Sequence, residues 1–210
     1  MAATTTYSQL IEDVKQYAER FDAPFIAQIP RFIALAENRI AAEVRGLGYV
    51  RYASGSFNAS DAVVEKPSRW RETSSWFYVK NGSVVFLKQR GYSYVRSYWP
   101  DLSQTGDPVY YSDYDYEHLL VVPTPAEPQV FELAYFERPL PLSESNQVNW
   151  TTQYAPQLLL YASLLEAQPF LKRSERIAEF QGLFDRAVAA VSNEAQRRLG
   201  GDQTLLRTEG

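Results

Sequence analysis

The spacing of apolar residues changes twice along this 210-residue chain, and no single motif constrains the fold as strongly. Helical spacing runs from Thr6 to Gly48, strand spacing begins at Tyr49, and helical spacing returns near Trp150. A helix needs apolar side chains every three or four residues to cover a core, whereas a half-buried strand needs every second one. Helices, then strands, then helices predict an α+β protein with a β-rich segment inserted into a helical domain. The length suits one domain, or one domain carrying an insertion.

Thr6-Tyr7-Ser8-Gln9 reads as a capping box, with Thr6 as N-cap and Gln9 reaching back. The helix it starts carries Tyr7, Leu10, Ile11, Val14, Tyr17 and Phe21 on one stripe, and Asp22-Ala23-Pro24 reads as its break. A second helix lines up Ile29, Phe32, Ile33, Ala36, Ile40, Val44 and Leu47, and ends at Gly46 and Gly48. Near the other terminus Pro156 fits a first helical turn, followed by Leu158, Leu159, Tyr161, Ala162 and Leu165, with Pro169 as the stop. Ser174 then caps a last helix whose stripe is Ile177, Phe180, Leu183, Phe184, Ala187, Val188, Val191 and Leu199. Gly200-Gly201 reads as its end. These four helices predict a four-helix bundle-like domain over 1–48 and 150–199, with 49–149 as an inserted, antiparallel β-rich lobe and 200–210 as a tail. The tail places Leu205 and Leu206 between Thr204 and Arg207, either as a frayed terminus or as an arm that orders in another subunit's groove.

Within the lobe, Trp76–Lys80 and Ser83–Leu87 flank Asn81-Gly82. A type I′ turn needs positive φ at both central residues, so Asn-Gly predicts an antiparallel hairpin. Val109–Tyr111, Leu119–Val122 and Val130–Tyr135 read as further strands, closed by Pro123, Pro125, Pro128 and Pro139. Arg90 to Tyr98 fits a short helix better than a strand, and the polar stretch from Pro139 to Trp150 reads as a domain crossing.

Composition removes several functions. With no cysteine there is neither a disulfide nor a thiolate metal site, as expected for assembly in a reducing cytoplasm. No apolar run approaches a membrane span, and Met1–Thr6 lacks the features of a signal peptide, so a soluble protein with no membrane partner is expected. His118, the one histidine, has no second histidine to complete a metal set, and reads as structural. Asp107, Asp113, Asp115 and Glu117 lack the spacing of a calcium loop. Gly46-Leu47-Gly48 follows a helix and is no dinucleotide motif. No catalytic residue and no cofactor is therefore expected. The charge is −4 overall but split: residues 50–100 carry eight bases and three acids, residues 101–149 one base and nine acids. Such a split allows one copy's basic edge to meet the next copy's acidic edge, or forms an ordinary solvated surface.

Tyr92, Tyr94, Tyr98, Trp99, Tyr110, Tyr111, Tyr114 and Tyr116 place eight aromatics in 25 positions. They can fill a thin β core, stack on sugars or single-stranded bases, or anchor a protein–protein face. Core plus interface is the reading favoured here. It takes Tyr92, Tyr98, Trp99, Tyr110, Tyr111, Asp113, Tyr114 and Tyr116 as a subunit or tail interface. A polysaccharide-binding or -degrading tail protein is the alternative from the same tyrosines and carboxylates. A nucleic-acid module using the basic 50–100 segment is a third.

Three ordered segments carry a family resemblance: Thr6–Leu10 with Ile29–Ile40, Tyr98–Asp101 with Gly106–Asp113, and Asn149-Trp150 with Ala155–Tyr161 and Leu164–Lys172. Together they resemble the head-to-tail adaptor (connector) proteins of tailed bacteriophages across essentially the whole chain. The resemblance implies a structural virion protein at the neck, assembled in the host cytoplasm as a dodecameric homo-oligomeric ring beneath the portal. It implies that the helical domain meets the portal protein, and that the β lobe meets the tail, nozzle or tail-terminator protein. Genomic DNA would pass through the ring without specific binding. It also implies a C-terminal segment reaching between portal subunits, here Leu199, Thr204, Leu205, Leu206 and Arg207.

Overall fold

Thr6 and Gln9 close the capping box reciprocally: the Thr6 hydroxyl accepts the Gln9 N–H at 3.2 Å and the Gln9 side chain accepts the Thr6 N–H at 2.9 Å. The computed structural model describes residues 4–44, 47–172 and 174–203, with backbone alone for Leu47, Ser174 and 198–203. Helix α1 (Tyr7–Ala18) buries Tyr7, Leu10, Val14 and Ala18 and ends at Glu19 in the left-handed region, φ 53°. The buried row thus steps by three and then four residues, and Tyr17 and Phe21 lie exposed beside it. Asp22 does more than break the helix. Its carboxylate accepts the Phe25 N–H and caps a short α2 (Ala23–Ile26), with Pro24 in the first turn. Then α3 (Ile29–Glu43) buries Ile29, Phe32, Ile33, Ala36, Ile40 and Ala41.

The β-rich part follows: β1 (Val50–Phe57), β2 (Val63–Glu65), β3 (Trp70–Lys80), β4 (Ser83–Phe86), β5 (Lys88–Gln89), α4 (Tyr92–Tyr98), β6 (Thr105–Gly106), β7 (Tyr110–Asp113), β8 (His118–Val122), β9 (Thr124–Pro125) and β10 (Gln129–Glu137). The first sheet runs β1-β10-β3-β4, the second β2-β8-β7-β5, and β6 pairs with β9. Asn81 (φ 50°) and Gly82 (φ 77°) form the predicted tight turn, with Lys80 opposite Ser83. Two brief pairings, β5 with β7 and β6 with β9, are parallel, a departure from the antiparallel lobe expected.

The two larger sheets pack face to face. Phe57, Trp76, Tyr78, Phe131, Leu133 and Tyr135 of the first meet Tyr111, Leu119 and Val121 of the second. Along β8 the alternate residues Leu120 and Val122 point the other way, to Val95 of α4 and to Ala62. Helix α4 therefore covers the side of the second sheet that faces away from the first. This burial on both faces explains why β8 is a continuous apolar run.

The chain closes with α5 (Trp150–Tyr154), α6 (Pro156–Leu171), a 3-10 turn at Ser174–Arg176 and α7 (Ile177–Gln203). Asn149 caps α5 by accepting the Thr151 and Thr152 N–H groups. Helix α6 buries residues around most of its circumference and is the element against which α1, α3 and α7 pack. Arg39 of α3 holds Glu166 of α6 at 2.6 Å, and Phe25, Phe32 and Phe170 form a ring cluster with centroids 5.7–6.1 Å apart.

Four helix boundaries differ from expectation. Helix α3 ends at Glu43, short of Gly46 and Gly48, because Val44 is already extended and Leu47 belongs to a separate 3-10 turn. Pro169 lies inside α6; it forfeits one backbone hydrogen bond in the last turn, where burial of Leu164, Leu165, Ala167 and Leu171 offsets the loss. Ser174 opens the 3-10 turn, and α7 begins only at Ile177. Helix α7 also continues through Gly200 and Gly201 to Gln203. The α+β class holds. The helices are spread through the chain, however, with α2 and α5 added to the four long ones and the short α4 expected. Packing divides the chain into two units, Met1–Tyr49 with Pro139–Gly210, and Val50–Arg138.

Candidate functional site

Gly91 precedes α4, whose inward residue Val95 is fully buried, so the tyrosines flanking it in sequence turn outward. Tyr94 and Tyr98, one helical turn apart, stack with planes 4° apart at 6.5 Å. Both meet Tyr110 of β7 edge-on, at 5.5 and 4.9 Å. Trp99 adjoins Tyr98 at 6.4 Å and donates its indole N–H to the Gln104 carbonyl. Tyr92 meets Tyr114 at 6.1 Å. The Arg90 guanidinium lies 5.9 Å from the Tyr94 ring and 5.7 Å from that of Tyr110. The Tyr94 phenol is raised above its ordinary pKa, first by its hydrogen bond with Tyr110. The product is a tyrosine-rich surface on α4 and β7, in which Tyr94 is 48 % and Tyr98 44 % exposed. Tyrosine supplies large contact area with few rotatable bonds, which suits such a surface to protein contact.

The acidic residues serve the fold. Asp113 pairs with Lys66 at 2.8 Å, and the same ammonium donates to the Asp115 carbonyl and sits 4.2 Å from the Trp70 ring. Asp115 closes the β7–β8 turn by accepting the Glu117 and His118 N–H groups, and its carboxylate meets the His118 ring at 2.9 Å. These contacts, led by the His118 side chain, hold the Asp115 carboxyl below its usual range. Asp107 pairs with Lys80, and Glu137 with Arg51 and Arg69. Opposite charges separated along the chain thus meet within one copy, which removes much of the charge split seen in sequence. Among the described residues no group of three or more His, Cys, Asp or Glu is placed to hold a metal ion. None of the helices among them is long and apolar enough to cross a membrane.

The structure brings Tyr92 against Tyr114 and Tyr98 against Trp99 and Tyr110, with Asp113 beside Arg90 and Tyr92 in a recess of about 370 Å³. Tyr116 is 85 % exposed at the neighbouring turn. Tyr111 is not part of this surface. It is 4 % exposed and packs edge-on against Trp76 in the sheet core, because β7 alternates and sends Tyr110 outward and Tyr111 inward. Tyr94 and Arg90 belong to the surface but were not among the predicted interface residues; the four-residue spacing of Tyr94 and Tyr98 is the signal for Tyr94. Thr204, Leu205, Leu206 and Arg207 lie outside the described residues, as does the side chain of Leu199.

The family model described as SU10 adaptor protein matches residues 5–205 and so spans both units. The chain belongs to the SU10 adaptor protein family. This is a phage head-to-tail adaptor family, in agreement with the resemblance drawn from the sequence. The adaptor is thus a structural phage protein whose place is the virion, where it contacts other capsid or tail proteins. No curated protein shows significant similarity to it.

Proposed function

We propose that the adaptor assembles as a ring, dodecameric as the family resemblance implies, which joins the portal to the tail and lines the DNA exit channel without catalysing a reaction. The observation that carries this is the adaptor-family match over residues 5–205. Two features of the β unit support it. The tyrosine surface presents aromatic area that its own core does not use, as a docking face does. The unit's charges are close to balanced, with nine bases and eleven acids over residues 50–138, many of them paired within the chain. A channel wall of this kind lacks the continuous basic face that would retain passing DNA.

In this reading the helical unit meets the portal and the β unit meets the tail, nozzle or tail-terminator protein. The segment beyond α7 is the portal arm, anchored by Leu205 and Leu206 with Arg207. The test is to mix the adaptor with portal rings and image the product, using full-length protein and a deletion of residues 204–210. Full-length protein should decorate the portal as a ring, and the deletion should co-sediment less while keeping its circular dichroism. Virion necks without this chain, or measured turnover of a polysaccharide, would overturn the proposal.

A further inference from the structure

The outer face of the first sheet, on the far side of the sandwich from α4, is apolar and open. The strand registers place Glu132 beside Phe77 and Phe77 beside Phe86 in one row, and pair Val79 with Val84 in the next. Val79, Val84, Phe86 and Val130 are 52–71 % exposed. An antiparallel sheet with one solvated face normally makes that face polar, and contiguous exposed apolar area marks an interaction site. A groove of about 540 Å³ runs along β10 and β3 here, with Glu132 and Glu127 among its lining residues. Neither carboxylate has an ion pair among the described residues; Glu127 accepts only from the Gln129 side chain, at 3.5 Å.

The tyrosine surface on the opposite side carries bases, with Asp113 beside Arg90 in one recess and Asp101 within electrostatic reach of Arg96. Lys88 and Arg90 precede α4 and Arg96 lies within it, and none of the three forms an ion pair among the described residues. Arg90 donates to the Gln89 carbonyl, and Arg96 to those of Trp99 and Pro100. One sandwich therefore carries Glu127 and Glu132, without ion pairs among the described residues, on a largely apolar face that also includes Lys80, and Lys88, Arg90 and Arg96, likewise without ion pairs, on the aromatic side. A single copy cannot bring these two faces together. A neighbouring copy can, and contacts between unlike faces generate rings when the rotation closes.

We propose that the occupant of the tyrosine surface is the outer face of the first sheet of the next copy, with Glu132 opposite Arg90. This rests on the ring reading above and names the contact that builds the ring. Charge complementarity sets the register, while aromatic and aliphatic burial holds the faces together.

Because the chain contains no cysteine, single-cysteine variants report the contact directly. Val84→Cys and Tyr94→Cys proteins, mixed in full-length form at high concentration or on portal rings and gently oxidised, should yield mainly the mixed disulfide dimer. Glu132→Lys and Arg90→Glu should each weaken assembly about tenfold or more, and the double variant should recover most of it. Rings that form normally without the mixed disulfide, or that ignore both charge reversals, would overturn this contact and leave the ring intact. Predominant Val84→Cys homodimers would overturn it in favour of like faces meeting. No assembly under any of these conditions, the unmodified chain included, would remove the ring reading itself.

Discussion

Glu37 of α3 accepts the backbone N–H of Leu142 through both carboxylate oxygens at 3.2 Å, across 105 residues of chain. The same Oε1 accepts the Asn149 side-chain N–H at 2.9 Å, while Asn149 caps α5. Leu142 and Asn149 lie on the segment by which the chain returns from the β unit, so one carboxylate binds that return to the N-terminal helices. Tyr7 and Ser8 reinforce it, each donating its backbone N–H to Gln147.

Burial raises the Glu37 carboxyl from the ordinary 4.5 to about 7, despite the opposing hydrogen bonds from Leu142 and Asn149. The folded state therefore holds a proton that the unfolded state releases between these values. The stabilisation is complete below about pH 4.5 and is lost as pH rises through about 7. The full loss is about 3 kcal/mol. Glu37→Gln keeps an accepting oxygen and cannot ionise, so it should remove this part of the pH dependence. Urea unfolding at pH 5 and pH 8 checks it: the variant should gain on the wild type at pH 8, and parallel pH profiles would refute the assignment.

Two glycines should respond to alanine for different reasons. A Cβ built on Gly48 falls inside the Trp150 indole, which lies over this backbone and packs on Tyr49 at 4.9 Å. At Gly82 a Cβ meets nothing within 4 Å, but φ is +77°. Gly82→Ala should therefore cost about 1 kcal/mol, as backbone strain alone. Gly48→Ala should cost about 1–3 kcal/mol or more and shift the near-ultraviolet circular dichroism of the displaced indole. Denaturant titration ranks the two.

Lys66 is the hub of the acidic turn, with its side chain 7 % exposed between Asp113, the Asp115 carbonyl and the Trp70 ring. Lys66→Ala should destabilise the chain by about 1–3 kcal/mol, through the lost charge-assisted hydrogen bonds and the lost contact with Trp70. Asp113→Asn should cost less than about 1 kcal/mol, because that carboxylate is mostly solvated. Thermal melts of both variants at low and high salt give the comparison. Equal losses would mean that the ion pair, and not the whole hub, carries the stability.

Local chemistry made much of the fold legible. The Thr6–Gln9 capping box, the Asn81-Gly82 turn and the helical choice for Tyr92–Tyr98 each depend on groups a few residues apart. The tyrosine surface was legible as a cluster, but not residue by residue. Whether Tyr110 or Tyr111 faces outward depends on the pleat of β7 against Trp76, a partner from a distant strand. The basic and acidic segments looked like two separate edges. Ion pairs such as Lys66–Asp113 and Lys80–Asp107 form only when the strands bring them side by side.

From sequence alone came the order of helices and strands and several of their caps and turns, because repeated spacing and short-range hydrogen bonds leave their mark residue by residue; the adaptor family came from the resemblance of three segments. Tertiary structure alone settled that α6 tolerates Pro169, that α7 passes through two glycines, and that Tyr110 faces α4 while Tyr111 enters the sheet core. A glycine or proline penalty of about 1–3 kcal/mol is small beside the packing of a whole helix. Facing and pairing, moreover, belong to residues that meet only after the chain has folded.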